Sequence, residues 1–278
     1  MTTRLIVTAD DFGAAREVNE AVERAHVDGI LSAASLMVTG DAVADAVQRA
    51  KRLPRLGVGL HLVLVEGRPA LPPERVSQLV GSDGRFRTDM VRAGIAIFAD
   101  PRARRQLREE VEAQFAAFTA TGLPLDHVNA HKHFHLHPTI AATVLAVGKR
   151  YGVRAMRAPV EPRAVLRRIE GGQGFDPAAP WAKLMRRRIR LAGMVAPDQV
   201  FGIAWSGQFG VERLRALIET LPPGLSEIYM HPATGPYPGS ADGYDYAGEL
   251  AALTDPQVRQ IMVERGLEPV RFLECVQD

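Results

Sequence analysis

Five of the eight histidines in this 278-residue chain fall between positions 127 and 137: His127, His131, His133, His135 and His137. Neutral imidazole is the commonest protein metal ligand, and clustering several in one segment is costly unless something binds them. In an extended segment His131, His133, His135 and His137 share one face, whereas a turn splays them so that only one or two reach a common ion. The remaining candidates are distant in sequence. Asp10 and Asp11 stand side by side in Thr8-Ala9-Asp10-Asp11-Phe12-Gly13, His61 in Gly59-Leu60-His61-Leu62, and His231 in Tyr229-Met230-His231-Pro232. Each also has a purely structural use: an Asp before an amphipathic helix is a favourable N-cap, a single His in a strand can serve packing, and a histidine run can be a solvated loop. Together, one or two Asp and two or more His suit a divalent cation held by mixed N/O ligands with open positions for water, the arrangement of metal-assisted hydrolysis.

Residues this far apart meet only if the elements that carry them end on one rim. Short apolar runs at Leu5–Ala9, Ala34–Val38, Val58–Leu64, Val153–Arg157, Gln199–Ala204, Ser226–Met230 and Val270–Leu273 predict strands. Helical spacing over 14–28, 41–52, 101–121, 138–151, 210–221 and 255–265 places helices between them. Strands separated by such helices pair in parallel through right-handed crossovers. About seven βα units predict an α/β fold, a distorted (β/α) barrel whose C-terminal strand ends form a single rim. The candidate residues all follow predicted strands. Residues 66–90, rich in Gly, Pro and Arg, predict a loop with little regular structure. The stretch 158–197, with prolines at 159, 162, 177, 180 and 197, predicts an irregular insertion over one face of a single domain spanning 1–278.

Composition narrows the chemistry further. A content of 46% hydrophobic and 24% charged residues is that of a folded globular chain, and a net charge of +2 gives no reason to expect nucleic acid as a partner. The lone Cys275 can form no internal bridge, excludes a thiolate-rich zinc site and argues against a cysteine nucleophile. No G-x-S-x-G elbow, P-loop or G-x-G-x-x-G fingerprint is present, so serine hydrolase, NTPase and dinucleotide readings lose their usual support. No apolar run reaches the ~18 residues of a membrane span or the pattern of a signal peptide, which predicts a soluble, cytoplasmic protein.

In order and spacing, Thr8–Gly13, Gly59–Leu62, Asn129-Ala130-His131-Lys132-His133-Phe134-His135 and Met230-His231-Pro232 resemble the YdjC/ChbG-type carbohydrate deacetylases over nearly the whole chain. The stretch Asp126–Pro138 further resembles the branch associated with hopanoid biosynthesis, called HpnK. The resemblance implies a barrel of the glycoside hydrolase/deacetylase type that removes an N-acetyl group from an amino sugar. It implies one divalent metal ion, Mg²⁺ or Zn²⁺, on Asp11, His61 and His131, with Asp10 as the base and His231 as the general acid or a charge-stabilising partner. His133, His135 and Lys132 are expected to bind substrate. The chain departs from the family pattern at Asn129, where an Asp is common, and at Lys132, where a His is common.

The expected substrate is an acetylated amino sugar, the N-acetylglucosaminyl head of a hopanoid lipid, with chito-oligosaccharide deacetylation and metal-dependent phosphoester hydrolysis as alternatives. Trp181–Val195 mixes apolar residues with Lys183, Arg186, Arg187, Arg188 and Arg190, a composition suited to peripheral contact with an anionic inner-membrane surface. A homodimer completes the expected partners. Elemental analysis tests the register through the cluster: His131→Ala strongly reduces bound metal and His137→Ala does not, and the reverse ranking would relocate the site.

Overall fold

The computed structural model describes residues 3–171 and 176–276. Six strands appear among them: β1 (Thr3–Phe12), β2 (Ala33–Leu36), β3 (Gly57–Leu62), β4 (Val128–Ala130), β5 (Gln199–Phe201) and β6 (Gly224–Met230). The helices are α1 (Arg16–Val27), α2 (Val43–Arg52), α3 (Met90–Ala99), α4 (Pro101–Ala120), α5 (Pro138–Arg150), α6 (Arg163–Glu170), α7 (Ala179–Leu191), α8 (Val211–Thr220), α9 (Tyr246–Thr254) and α10 (Pro256–Glu264). Every strand pairing is parallel, in the order β4-β3-β2-β1-β6-β5, and the sheet curls into a half-barrel.

Two of the seven predicted strands are not part of this ladder. The segment predicted as a strand at 153–157 makes only single parallel bridges, Val128 with Met156 and Ala155 with Val195. Just beyond, the Val200 N–H donates to the Val160 carbonyl at 2.9 Å. Residues 154–160 therefore span the gap between edge strands β4 and β5 as an irregular stave. Pro159 and Pro162 offer no N–H and so cut the ladder short. The second departure is at 270–273. Val270 donates to the Leu5 carbonyl at 2.8 Å, after which the chain turns into a 3₁₀ helix, Phe272–Cys275. The turn is held by the Asp126 carboxylate, which accepts the N–H groups of Phe272 (3.3 Å) and Leu273 (3.0 Å). The stretch 66–90 has little regular structure, as expected, with a single 3₁₀ turn at Pro73–Val76, and α3 begins at its last residue, Met90. Between 158 and 197 lie α6 and α7, and residues 172–175 of that stretch are outside the described residues.

The alternation of side chains along β1 divides the core in two. Leu5, Val7 and Ala9 join the large apolar cluster that includes buried residues of the helices, while Ile6 belongs to a small cluster with Ala33, Ala155, Phe272 and Cys275. Asp10 follows Ile6 by four residues and so shares its side of the strand. The C-terminal segment thus plugs one end of the barrel with Phe272, which is fully buried and stacks on His127 at 4.2 Å between ring centroids. Phe272→Ala is expected to destabilise the fold by about 3–5 kcal/mol, the usual cost of emptying a buried aromatic site, read from the shift of the urea unfolding midpoint.

Candidate metal centre

The acidic pair sits at the C-terminal end of β1, where the register with β2 shifts between Ala9 and Phe12. Asp11 adopts a left-handed backbone, φ 62°, a conformation that non-glycine residues enter at a cost. That twist lets neighbouring carboxylates, which would alternate along a regular strand, converge. His61 closes the C-terminal half of β3, and His131 is the first residue after β4. The segment 131–136 is a 3₁₀ turn with Lys132 and His133 also left-handed (φ 52° and 53°), so the histidine run is splayed rather than extended.

Asp11, His61 and His131 offer one ligand atom each, all within 4.8 Å of one another. Asp11 Oδ1 lies 3.2 Å from His61 Nε2 and 3.2 Å from His131 Nδ1. His61 Nε2 is buried and has no hydrogen-bond partner, while its Nδ1 is 2.7 Å from Asn129 Oδ1. A carbonyl acceptor requires the proton on Nδ1, so the Nε2 lone pair faces Asp11. A carboxylate oxygen and two imidazole nitrogens around one point fit a divalent cation, and the unpartnered Nε2 marks the place.

Asp10 lies deeper, only 2% exposed, and faces Arg157, which is wholly buried. Arg157 donates from Nη1 to Asp10 Oδ2 at 2.5 Å and from Nη2 to Asp10 Oδ1 at 3.0 Å. It also donates from Nε to Glu227 Oε1 at 2.8 Å, with its cation 4.4 Å from the Tyr229 ring centroid. Asn129 Nδ2 donates to Asp10 Oδ1 at 2.9 Å. Burial raises the Asp10 pKa, but the Arg157 charge, His61, the Arg157 hydrogen bonds and His231 together outweigh it and hold the carboxyl well below the usual range. Asp11 is likewise lowered against its burial, chiefly by His131. For His61, burial disfavours the proton, yet the paired aspartates raise the pKa above the ordinary value.

A cavity of about 510 Å³ opens over these groups and is lined among others by Asp10, Asp11, His61, His131, Lys132, His133, Tyr229 and His231. His231 presents a buried, unpartnered Nδ1, and its backbone N–H is held by Glu249. His133 Nε2 is 2.9 Å from the Tyr229 hydroxyl, and burial, then Arg157, push its pKa well down. Lys132 Nζ pairs with Glu66, also left-handed, at the cavity wall. His135 departs from its expected role in substrate binding. It is fully buried, is not among the cavity-lining residues, and places Nε2 3.1 Å from the Arg157 carbonyl. His137 packs against Phe98 and Phe134, and His127 turns inward beneath the site. Sequence reasoning missed Arg157, Glu227 and Ser35. Arg157 had one usable signal, a charged residue at the end of a predicted strand.

A parallel α/β half-barrel with a carboxylate–imidazole centre on its C-terminal rim defines the class. Residues 4–264 match the description "YdjC-like protein", and the chain belongs to that family. A Brevibacillus brevis relative named carbohydrate deacetylase is 40% identical over 275 residues, covering 98% of this chain and 99% of its own. Relatives of the same name from Geobacillus stearothermophilus and Homo sapiens are each 30% identical, covering 97% and 95% of this chain and 96% and 88% of their own. In fold, the chain is similar to an Enterococcus faecalis V583 crystal structure, described as a cellobiose-phosphate cleavage protein, with a TM-score of 0.77 at 22% identity, covering 99% of both chains.

The buried histidines give stability a pH dependence. Burial lowers the His135 pKa from 6.5 to about 3. The unfolded chain therefore binds the proton first, so stability is complete above about pH 6.5 and falls as pH drops towards 3. Between pH 6.5 and 5 His135 alone accounts for about 2 kcal/mol, at ~1.4 kcal/mol per pH unit. Urea unfolding at pH 5, 6 and 7 should show a shallower slope for His135→Gln than for the wild type.

Proposed function

We propose that this protein is a metal-dependent carbohydrate N-deacetylase that hydrolyses the acetamido group of an amino sugar. The observation that carries this reading is the convergence of Asp11, His61 and His131 beside a separate carboxylate, Asp10. The deacetylase names of relatives aligned over nearly the full chain support it. Amide hydrolysis needs an activated water, stabilisation of the tetrahedral oxyanion and protonation of the departing amine. A divalent cation such as Mg²⁺ or Zn²⁺ on the triad would supply Lewis acidity, making a water more acidic and the acetyl carbonyl more electrophilic.

The chain's own groups do the rest. Arg157 keeps Asp10 ionised, so that the carboxylate can accept the proton of the attacking water. Asn129 holds Asp10 Oδ1 and His61 together, which keeps base and ligand in one register. His231, on the cavity wall with Nδ1 unengaged, is placed to protonate the leaving nitrogen. Tyr229 and His133 form a polar wall for a sugar hydroxyl, and the Lys132–Glu66 pair offers both a donor and an acceptor. Among acetamido sugars, the N-acetylglucosaminyl head group of a hopanoid is the favoured substrate, with chito-oligosaccharides as the alternative. The cluster Lys183, Arg187 and Arg188 on α7 supports contact with an anionic lipid surface.

Acetate release from acetylglucosaminyl hopanoid and from chitobiose-type sugars, each with and without chelator, tests the reading. Chelator-sensitive release is expected. Asp10→Asn should retain metal and lose turnover by at least ~10²-fold, and equal turnover at matched metal occupancy would remove Asp10 from the mechanism.

A further inference from the structure

Beneath the candidate centre, buried polar groups continue toward the plugged end of the barrel. Asn129 Nδ2, besides meeting Asp10, donates to Ser35 Oγ at 2.9 Å. Ser35 Oγ is 3.0 Å from His127 Nε2, and His127 Nδ1 is 3.0 Å from Asp126 Oδ2. Asp126 in turn accepts the backbone N–H groups of Phe272 and Leu273, which lie beyond the 4–264 stretch that matches the family. Asp126, His127, Ser35 and Asn129 are all at most 2% exposed, so these bonds are largely shielded from bulk solvent.

The chain of bonds has a direction. The Asp126 carboxylate only accepts, so the His127 proton sits on Nδ1 and its Nε2 is left as an acceptor. Ser35 must then give its hydroxyl hydrogen to His127, and its oxygen accepts from Asn129. With the Asp10 carboxylate, which also only accepts, that bond turns the Asn129 NH₂ toward Ser35 and Asp10, and its carbonyl toward His61. The carbonyl fixes the His61 proton on Nδ1. Room for this arrangement is built into β3: a Cβ at Gly57 would lie 2.6 Å from Asp126 Oδ2, and one at Gly59 would lie 2.5 Å from the His127 ring.

We propose that Asp126, His127 and Ser35 are positioning residues that fix the orientation of Asn129 from the closed end of the barrel, and through it the His61 tautomer that presents Nε2 to a cation. The proposal rests on the reading of Asp11, His61 and His131 as a cation site. Outer partners of metal-binding histidines typically change affinity by ~10–100-fold when removed. Asp126→Asn is the sharpest test, because its amide can donate to His127 Nδ1, reverse the His127–Ser35 bond and leave Ser35 free to offer its hydroxyl hydrogen toward Asn129.

Co²⁺ titration of metal-free protein, followed by its visible absorbance, and ¹⁵N NMR of the histidine rings are the two readouts. In the wild type, at a pH high enough for the ring to be neutral, His61 is expected as the Nδ1–H tautomer. Asp126→Asn is expected to give a mixed His61 tautomer and to weaken Co²⁺ binding by ~10-fold or more. Ser35→Ala is expected to weaken Co²⁺ binding by a similar factor, and Ser35→Thr, which keeps the hydroxyl, to restore it. A folded Asp126→Asn with His61 unchanged overturns the relay, as does undiminished Co²⁺ affinity in Ser35→Ala. Ser35→Ala, which removes one oxygen, decides alone if Asp126→Asn does not fold. Wild-type protein that binds no Co²⁺ would instead overturn the cation site itself, so the two failures are distinguishable.

Discussion

Arg157 carries a positive charge with no exposure to solvent, and two carboxylates make that tolerable. An isolated ion in a medium of low dielectric is costly, and removing one partner of a buried ion pair typically costs about 3–5 kcal/mol because the other is left uncompensated. Asp10 and Glu227 flank the guanidinium, the Tyr229 ring covers a face of it, and the Arg157 carbonyl meets His135. Asp10 is therefore both an ion-pair partner and the residue beside the triad. Its ionised state is a property of the packed barrel interior, not of its immediate neighbour in sequence.

The same constraint orders the rim. With Asp10 committed inward to Arg157 and Asn129, the adjacent Asp11 has to turn the other way to reach His61 and His131, and the left-handed φ of 62° accomplishes that turn. The histidine turn relies on the same device at Lys132 and His133. Three strained residues around one point agree with the general tendency of such conformations to gather where function demands geometry that a regular ladder cannot give.

Much of the architecture was legible in the chain. The four strands that carry the main site motifs are short, apolar and followed by chemistry-bearing residues, and alternation with helices of a dozen residues specifies parallel pairing. Asp11, His61 and His131 could be grouped because each lies at or just past the C-terminal end of such a strand. What stayed hidden has physical reasons. The segment 154–160 has the composition of a strand, but Pro159 within it and Pro162 just beyond remove ladder donors, and a local apolar run does not report that. Residues 270–273 look equally strand-like, yet Asp126 captures their N–H groups from 146 and 147 positions away. Helix α3, Met90–Ala99, lies just past the Gly-, Pro- and Arg-rich stretch and matches none of the segments expected to be helical. The inward turn of His135 and the pairing of Arg157 with Asp10 are likewise long-range, and no spacing rule encodes them.

The stave at 154–160 joins β4 and β5 by only a few backbone bonds, and it also carries Arg157. A seam in the barrel and its most demanding charge thus coincide. Any parting of the staves there would separate Arg157 from its carboxylates in an apolar interior, so Coulomb attraction acts as a clasp over a join that few backbone bonds secure.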